Sequence, residues 1–207
     1  MSRQKKGNRY RLLVYYRTWN RLWKEMFAIG FLLLILWHFG YDSSFLHLTP
    51  LTTNLVLGSA VVCLFFSLVS FIARRLNYVQ PFPTHLLLVT PLLRLNISYK
   101  RINSVRPIDV AKIFHPSKLS WSQRNTIEPF YGMTGVGVIL YQYPLSYKFL
   151  RLFIPLSLFL PHTTGICLIV KDWMNLSTEI DSMIASQLDK RREKRKQPGL
   201  ITDLRSD

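Results

Sequence analysis

Residues 26–41 read MFAIGFLLLILWHFGY, and residues 55–73 read LVLGSAVVCLFFSLVSFIA. A helix needs roughly 20 mostly apolar residues to cross about 30 Å of hydrocarbon. The second run meets that length alone, and the first does so with its flanks. Together they predict a transmembrane helical hairpin. A cleaved signal peptide does not fit the first run, which starts late and ends in HFGYDSSF without a small-residue cleavage site.

Charge orients the hairpin. Arg3, Lys5, Lys6, Arg9, Arg11, Arg17, Arg21 and Lys24 precede the first run, with no acidic residue before Glu25. Arg74 and Arg75 follow the second run, and the connecting loop at 42–50 has neither Lys nor Arg. Loops rich in Lys and Arg stay on the cytoplasmic side, so both termini are expected there, on a multi-pass protein of the cell's inner membrane. Between residues 10 and 25, Leu12, Tyr16, Trp19 and Trp23 recur at helical spacing, while Arg17, Arg21 and Lys24 fall on another face. This segment reads as an interfacial helix, with Trp19, Trp23, Arg17 and Arg21 at the headgroup level. It serves either as an ordinary flank of the span or as a lipid-sensing element.

The 207-residue chain has a formal net charge of +16. A balance this basic fits nucleic acid or an anionic membrane surface. Its placement around the apolar runs, and in Lys190, Arg191, Arg192, Lys194, Arg195 and Lys196, favours the membrane. The expected organisation is a basic interfacial segment at 1–25, the hairpin at 26–75, a cytoplasmic domain at 76–188 and a basic tail without fixed structure at 189–207. Cys63 lies in the second run and Cys167 in an expected strand, so no disulfide is expected between them. Asn96-Ile-Ser98 and Asn175-Leu-Ser177 match the glycosylation pattern, but the inferred topology puts both on the wrong side.

The periodicity changes after residue 84. HLLLVT (85–90) is a short apolar run, LLRLNIS (92–98) alternates apolar and polar residues, and RINSVRPIDVAKIF (101–114) alternates again with Pro107 as a bulge or edge. Residues 115–128 read as a long polar loop. VGVILY (136–141) follows a glycine-bearing turn, residues 150–160 are apolar but broken by Pro155, and TGICLIVK (164–171) is a last strand. Then Leu176, Ile180, Met183, Ile184 and Leu188 recur at helical spacing. Asn175 fits an N-cap, and Glu179 and Asp181 suit the positive end of the helix dipole. The expectation is six or seven strands, then one helix that closes the domain.

Three stretches resemble the bacterial pleckstrin-homology-like (PH-like) membrane proteins: LLLVTPLLRLNIS (86–98), YKRINSVRPIDVAKIF (99–114) and GICLIVKDWMNLSTEIDSMIASQL (165–188). The resemblance implies an α+β membrane protein, with a two-helix hairpin followed by a PH-like antiparallel β-sandwich or barrel and a C-terminal capping helix. It implies no catalytic activity. The segment at 141–161 departs from the pattern, being longer and more apolar than a plain strand and turn.

No constellation of catalytic residues stands out. His38, His47, His85, His115 and His162 have no partners at metal-ligand spacing, and no metal or cofactor is expected. Asp109 and Glu128 are the acidic pair left once the helix start is accounted for, and both read as turn residues. Gly132, Gly135 and Gly137 lack dinucleotide-binding spacing. Two clusters point to binding instead. Lys100, Arg101 and Arg106, with Lys118 and Arg124 in the following loop, suit anionic headgroups or a partner, and Trp121 offers an anchor. The stretch YQYPLSYKFLRLFIPLSLFLP (141–161) holds more apolar surface than a plain strand needs, and marks Phe153 and Phe159 as membrane-interface residues. The expected function is a membrane-anchored binding or scaffold protein, not an enzyme, with lipid bilayer, a protein partner or a further copy of itself as partners. Two alternatives are an accessory subunit of a membrane enzyme or complex, and nucleic-acid tethering through the basic tail.

Overall fold

In the computed structural model, residues 7–42, 49–161 and 163–196 are described. Arg3, Lys5, Lys6, the loop residues around His47, His162 and the end of the basic tail lie outside them. The chain divides into two compact units, Leu13–Asn77 on one hand and Met1–Leu12 with Tyr78–Asp207 on the other.

The first unit is a pair of helices, α1 (Leu13–Asp42) and α2 (Pro50–Ala73). Thr49 at the N-cap and Pro50 at the first helical position start α2. Both helices are long and apolar enough to cross a membrane, with mean hydropathy 1.5 over Leu13–Phe39 and 2.6 over Leu51–Ala73. Their apolar side chains point outward: Phe31, Leu32, Phe39, Val61, Phe65 and Leu68 are all exposed. The seam between the helices is lined by small or hydroxylated residues, with Ala60, Thr53, Ser67 and Ser70 buried. A Cβ on Gly30 would sit 3.0 Å from the Leu64 side chain. Small residues of this kind let helix backbones approach closely. The expected division between an interfacial helix and a separate span is absent: one continuous helix runs from Leu13.

The second unit holds two antiparallel sheets. The four-stranded sheet has the order β1 (Tyr10–Arg11), β2 (Tyr78–Pro81), β3 (His85–Val89), β4 (Arg94–Ser98). The three-stranded sheet has the order β5 (Ile102–Asp109), β6 (Thr134–Leu140), β7 (Gly165–Leu168). β4 follows the alternation in its sequence: Leu95 and Ile97 are buried while Arg94 and Asn96 face out. β5 lies at an edge of its sheet, which is where Pro107 can lack a donor without breaking the ladder. The bulge in β5 falls between Ile102 and Ser104 rather than at Pro107. Gly132 turns the chain into β6 at φ +87°. On β6, a Cβ at Gly137 would fall 1.8 Å from Ile108 Cδ1, so any larger residue there requires the Ile108 side chain to move. The described strands form two open sheets, and no closed barrel is found.

The N-terminal segment departs most from the expected boundaries. Tyr10 pairs with Val79 and Arg11 with Tyr78, so residues before the helical hairpin form the edge of the sheet that continues after it. A domain drawn from residue 76 omits that strand. Three short helices differ from the expected strands and loops. Residues 110–113 form α3 (Val110–Ile113), capped by Asp109, whose Oδ1 accepts from the Ala111 N–H at 3.0 Å. The expected polar loop contains α4 (Trp121–Ile127), begun by a capping box of Ser120 and Gln123. The expected strand at 150–160 is instead α5 (Tyr147–Phe153) and a 3-10 turn, Leu156–Leu158. Pro155 and the burial of Leu150 and Ile154 at i, i+4 spacing set that geometry. The closing helix α6 (Trp173–Lys196) starts earlier than expected: Asp172, not Asn175, caps it, accepting from the Asn175 N–H at 3.3 Å. It also runs through the first basic residues of the tail. Leu176 and Ile180 are fully buried against the sheets, whereas Leu188 is half-exposed.

Candidate functional site

After β6 the chain enters a loop, α5 and the 3-10 turn before rejoining the sheet at the bridge between Phe159 and Ile166. The loop is fixed by Tyr143. Its hydroxyl accepts from the Gly165 N–H at 3.2 Å and donates to the Gly165 carbonyl at 3.4 Å, while its own carbonyl accepts from Arg101 Nη1 at 3.1 Å. Burial pushes the Tyr143 phenol above its ordinary pKa, and the hydrogen bond with Gly165 offsets part of that. The Tyr143, Tyr147 and Phe159 rings form a triangle with centroids 5.3–5.8 Å apart. An open cleft of about 560 Å³ lies beside them, lined by Arg101, Tyr141, Gln142, Tyr147 and Thr164 among others.

Burial separates the residues of this segment sharply. Leu150, Ile154 and Leu158 are core residues, and Phe159 is 6% exposed. Tyr141 is 70% exposed, Leu152 75%, Phe149 46% and Tyr147 43%. Phe159 therefore does not face outward as the sequence predicted. The bridge to Ile166 and its ring contacts hold it inside. Phe153 is half-buried beside Phe149, with ring centroids 5.0 Å apart. The outward residues are those that one turn of α5 carries, together with Lys148 and Arg151. The missed signal was the Leu150–Ile154 spacing, which marks a helix and so turns Phe149 and Leu152 away from the core.

The basic residues expected to bind lipid or a partner are carried by four different elements. Lys100 and Arg101 share the exposed 3-10 turn Tyr99–Arg101 between β4 and β5. Arg106 stands on β5 opposite Gly137. Lys118 ends the 3-10 turn Pro116–Lys118, and its side chain lies outside the described residues. Arg124 lies on α4, with its guanidinium 3.8 Å from Glu128. Trp121, at the start of α4, is 83% exposed. Asp109 caps α3, so each member of the acidic pair is engaged locally. Among the described residues, no three His, Cys, Asp or Glu side chains gather to hold a metal ion.

In the helical pair, Arg17 and Arg21 are exposed, and Arg21 pairs with Glu25 at 2.6 Å. Trp23 is drawn into the seam. Its indole N–H donates to Asn20 Oδ1 at 3.0 Å, its ring meets Phe71 edge-on at 5.6 Å, and Arg74 Nη1 donates to the same Asn20 oxygen at 2.8 Å. The Arg74 guanidinium lies 4.0 Å from the Phe71 ring centroid. Trp19 is half-buried one turn earlier on α1. Comparison with protein-family models, curated proteins and solved structures found no match to this chain.

Proposed function

We propose that this chain is a membrane-anchored binding protein. Its helical hairpin crosses the inner membrane with both ends cytoplasmic, and it presents a PH-like domain to protein partners, to other copies of itself or to anionic lipid. Several observations support this reading. Seven described strands in two antiparallel sheets and a closing helix are compatible with the expected run of six or seven strands and one helix, although β1 precedes the hairpin. The outward apolar faces of α1 and α2 would be costly in water, because large exposed apolar patches seek a membrane or a partner. At 1.5 Å per residue, the 30 residues of α1 exceed what about 30 Å of hydrocarbon requires. The excess suits Arg17, Trp19 and Arg21 at the headgroup level.

The observation that carries the binding reading is the exposed group of Tyr141, Tyr147, Phe149 and Leu152 on the sheet-bearing unit. With Leu145, five outward apolar side chains in twelve residues of sequence serve contact better than solubility. A photo-crosslinking side chain at Trp121 or Tyr141 of the full chain, activated in native membranes, tests the proposal. A discrete adduct with protein, a second copy or lipid is the expected result. Activation that yields only water-quenched product at both positions overturns it.

A further inference from the structure

We infer that the outward face of α5 docks on an anionic lipid leaflet, with Leu152 and Phe149 entering the boundary between headgroups and acyl chains while Lys148 and Arg151 meet lipid phosphates. The inference rests on the proposed membrane-anchored reading and names the partner of this surface.

The geometry of α5 sets the face. Each residue advances about 100° around a helix, which puts Lys148 and Leu152 opposite Leu150. Leu150 is fully buried and holds the helix to the core, so Leu152 at 75% exposed is its most outward apolar residue. A seven-residue helix has little stability of its own, and its packing through Leu150 and Ile154 fixes the direction of the outer face. The outer face interleaves bulky apolar and basic side chains, and long basic side chains beside inserted apolar groups can snorkel to headgroup phosphates. Tyr141 adds a ring that suits the headgroup level.

Charge selects lipid over protein. Residues 129–171 contain no Asp or Glu, whereas Lys148 and Arg151 stand in the middle of the exposed apolar group. Among the described residues neither cation has an acidic partner. The cores of protein–protein interfaces are depleted in lysine, and a lysine opposite the buried anchor would have to be desolvated there. Against an anionic leaflet it keeps its water and gains phosphate contacts. α4 packs beside the 3-10 turn Leu156–Leu158, which puts the element bearing Trp121 next to this segment. Tethering strengthens the effect. The chain passes from the end of α2 at Ala73 to β2 at Tyr78, so a surface too weak to hold a free domain acts at high effective concentration.

The full chain, with Cys63→Ala and a spin label at Leu152→Cys, provides the test when held singly in nanodiscs of phosphatidylcholine with or without phosphatidylglycerol. Cys167 is buried with its thiol pushed up to about 12, and it stays unlabelled. With anionic lipid, the label is expected to be more accessible to oxygen than to a water-soluble nickel chelate. Lys148→Ala with Arg151→Ala is expected to weaken docking ~30-fold, at the strength usual for two basic residues near an anionic surface. A label equally open to the nickel chelate in both lipids overturns the inference, as does a label shielded from both reagents. A second label at Phe65→Cys reports the anchor. If Phe65 lies in hydrocarbon and Leu152 in water, docking alone fails. If Phe65 also lies in water, the membrane-anchored reading fails.

Discussion

The carboxylate of Glu179 accepts two hydrogen bonds from Asn8, 171 positions earlier in the chain: one from the backbone N–H at 3.1 Å and one from the side-chain amide at 2.9 Å. Around that clamp, the Gly7 N–H donates to the Pro81 carbonyl at 2.9 Å, and Gln80 Nε2 donates to the Gly7 carbonyl at 2.8 Å. A Cβ on Gly7 would come within 2.7 Å of Glu179 Oε2 and 2.8 Å of the Pro81 oxygen. The segment before the helical hairpin is thus fastened both to the strand after it and to α6. The hairpin is an insertion between two neighbouring strands of one sheet.

Replacing Glu179 with Ala is expected to cost about 1 kcal/mol, the low end for charge-assisted bonds because Asn8 is solvent-exposed. Amide exchange at Gly7, Asn8 and Tyr10 should accelerate more than exchange in β6. Unchanged protection of these amides would mean that the clamp does not hold the N-terminal strand.

Gly137→Ala places a methyl group on top of Ile108 Cδ1, since the Cβ position lies 1.8 Å from that atom. Overpacking of this kind costs about 1–3 kcal/mol. Ile108→Ala removes both colliding carbons while opening a cavity of its own. The double variant should therefore be less destabilised than the sum of the two single variants, a coupling measurable by thermal unfolding. Strict additivity would show that β5 and β6 shift apart to accept the methyl group.

The two apolar runs were legible because crossing length is a composition signal, β4 because its residues alternate with period two, and β3, β6 and β7 because each is a short apolar run. β1 was hidden for a topological reason: Arg11 pairs with Tyr78 across the whole hairpin, and two residues carry no periodicity. α4 had a readable start in Ser120 and Gln123, yet its polar composition resembles a loop. α5 was misread because an apolar run of this length is compatible with a buried strand or a helix turn, and Pro155 sits at its boundary. That misreading also assigned Phe159 outward and did not single out Leu152, which is 75% exposed. Lys100 and Arg101 share one turn, Arg106 stands on the strand that follows it, and Arg124 lies on α4.

Alkaline pH should weaken the sheet-bearing unit. Burial pushes the Cys167 thiol from 9.0 up to about 12, and the Tyr99 and Tyr143 phenols are also raised chiefly by burial. For the thiol, the unfolded chain loses its proton first. The folded state binds more protons between these values, and stability falls as pH rises through that window, by up to ~1.4 kcal/mol per pH unit. Below pH 9 its contribution is fully present. Cys167→Ala should flatten this part of the melting temperature against pH, with the tyrosines supplying the remaining slope. An unchanged slope in the variant would locate the whole effect in the phenols.

Gly30 is a close approach of the helical pair: a Cβ there meets Leu64 side-chain carbons at 3.0 Å and the Cys63 Cβ at 3.2 Å. Because Ala60, Ser67 and Ser70 extend the same small-residue seam, a large side chain at position 30 has no pocket to enter. Gly30→Leu should therefore push α1 and α2 apart by about 1–2 Å within the usual 8–10 Å range of helix spacings. The displacement should break the contacts one and two turns along. Ser67 Oγ, 2.9 Å from the Trp23 carbonyl, would lose its acceptor, and the Trp23 ring would move away from the Phe71 ring, whose centroid lies 5.6 Å from its own. Trp23 fluorescence in a variant with the other tryptophans replaced by Phe would then report increased exposure to aqueous quencher. Paired spin labels on outward positions of α1 and α2 would measure the separation directly. An unaltered separation with normal quenching would show that the seam accommodates the added volume by rotating a helix rather than by moving it.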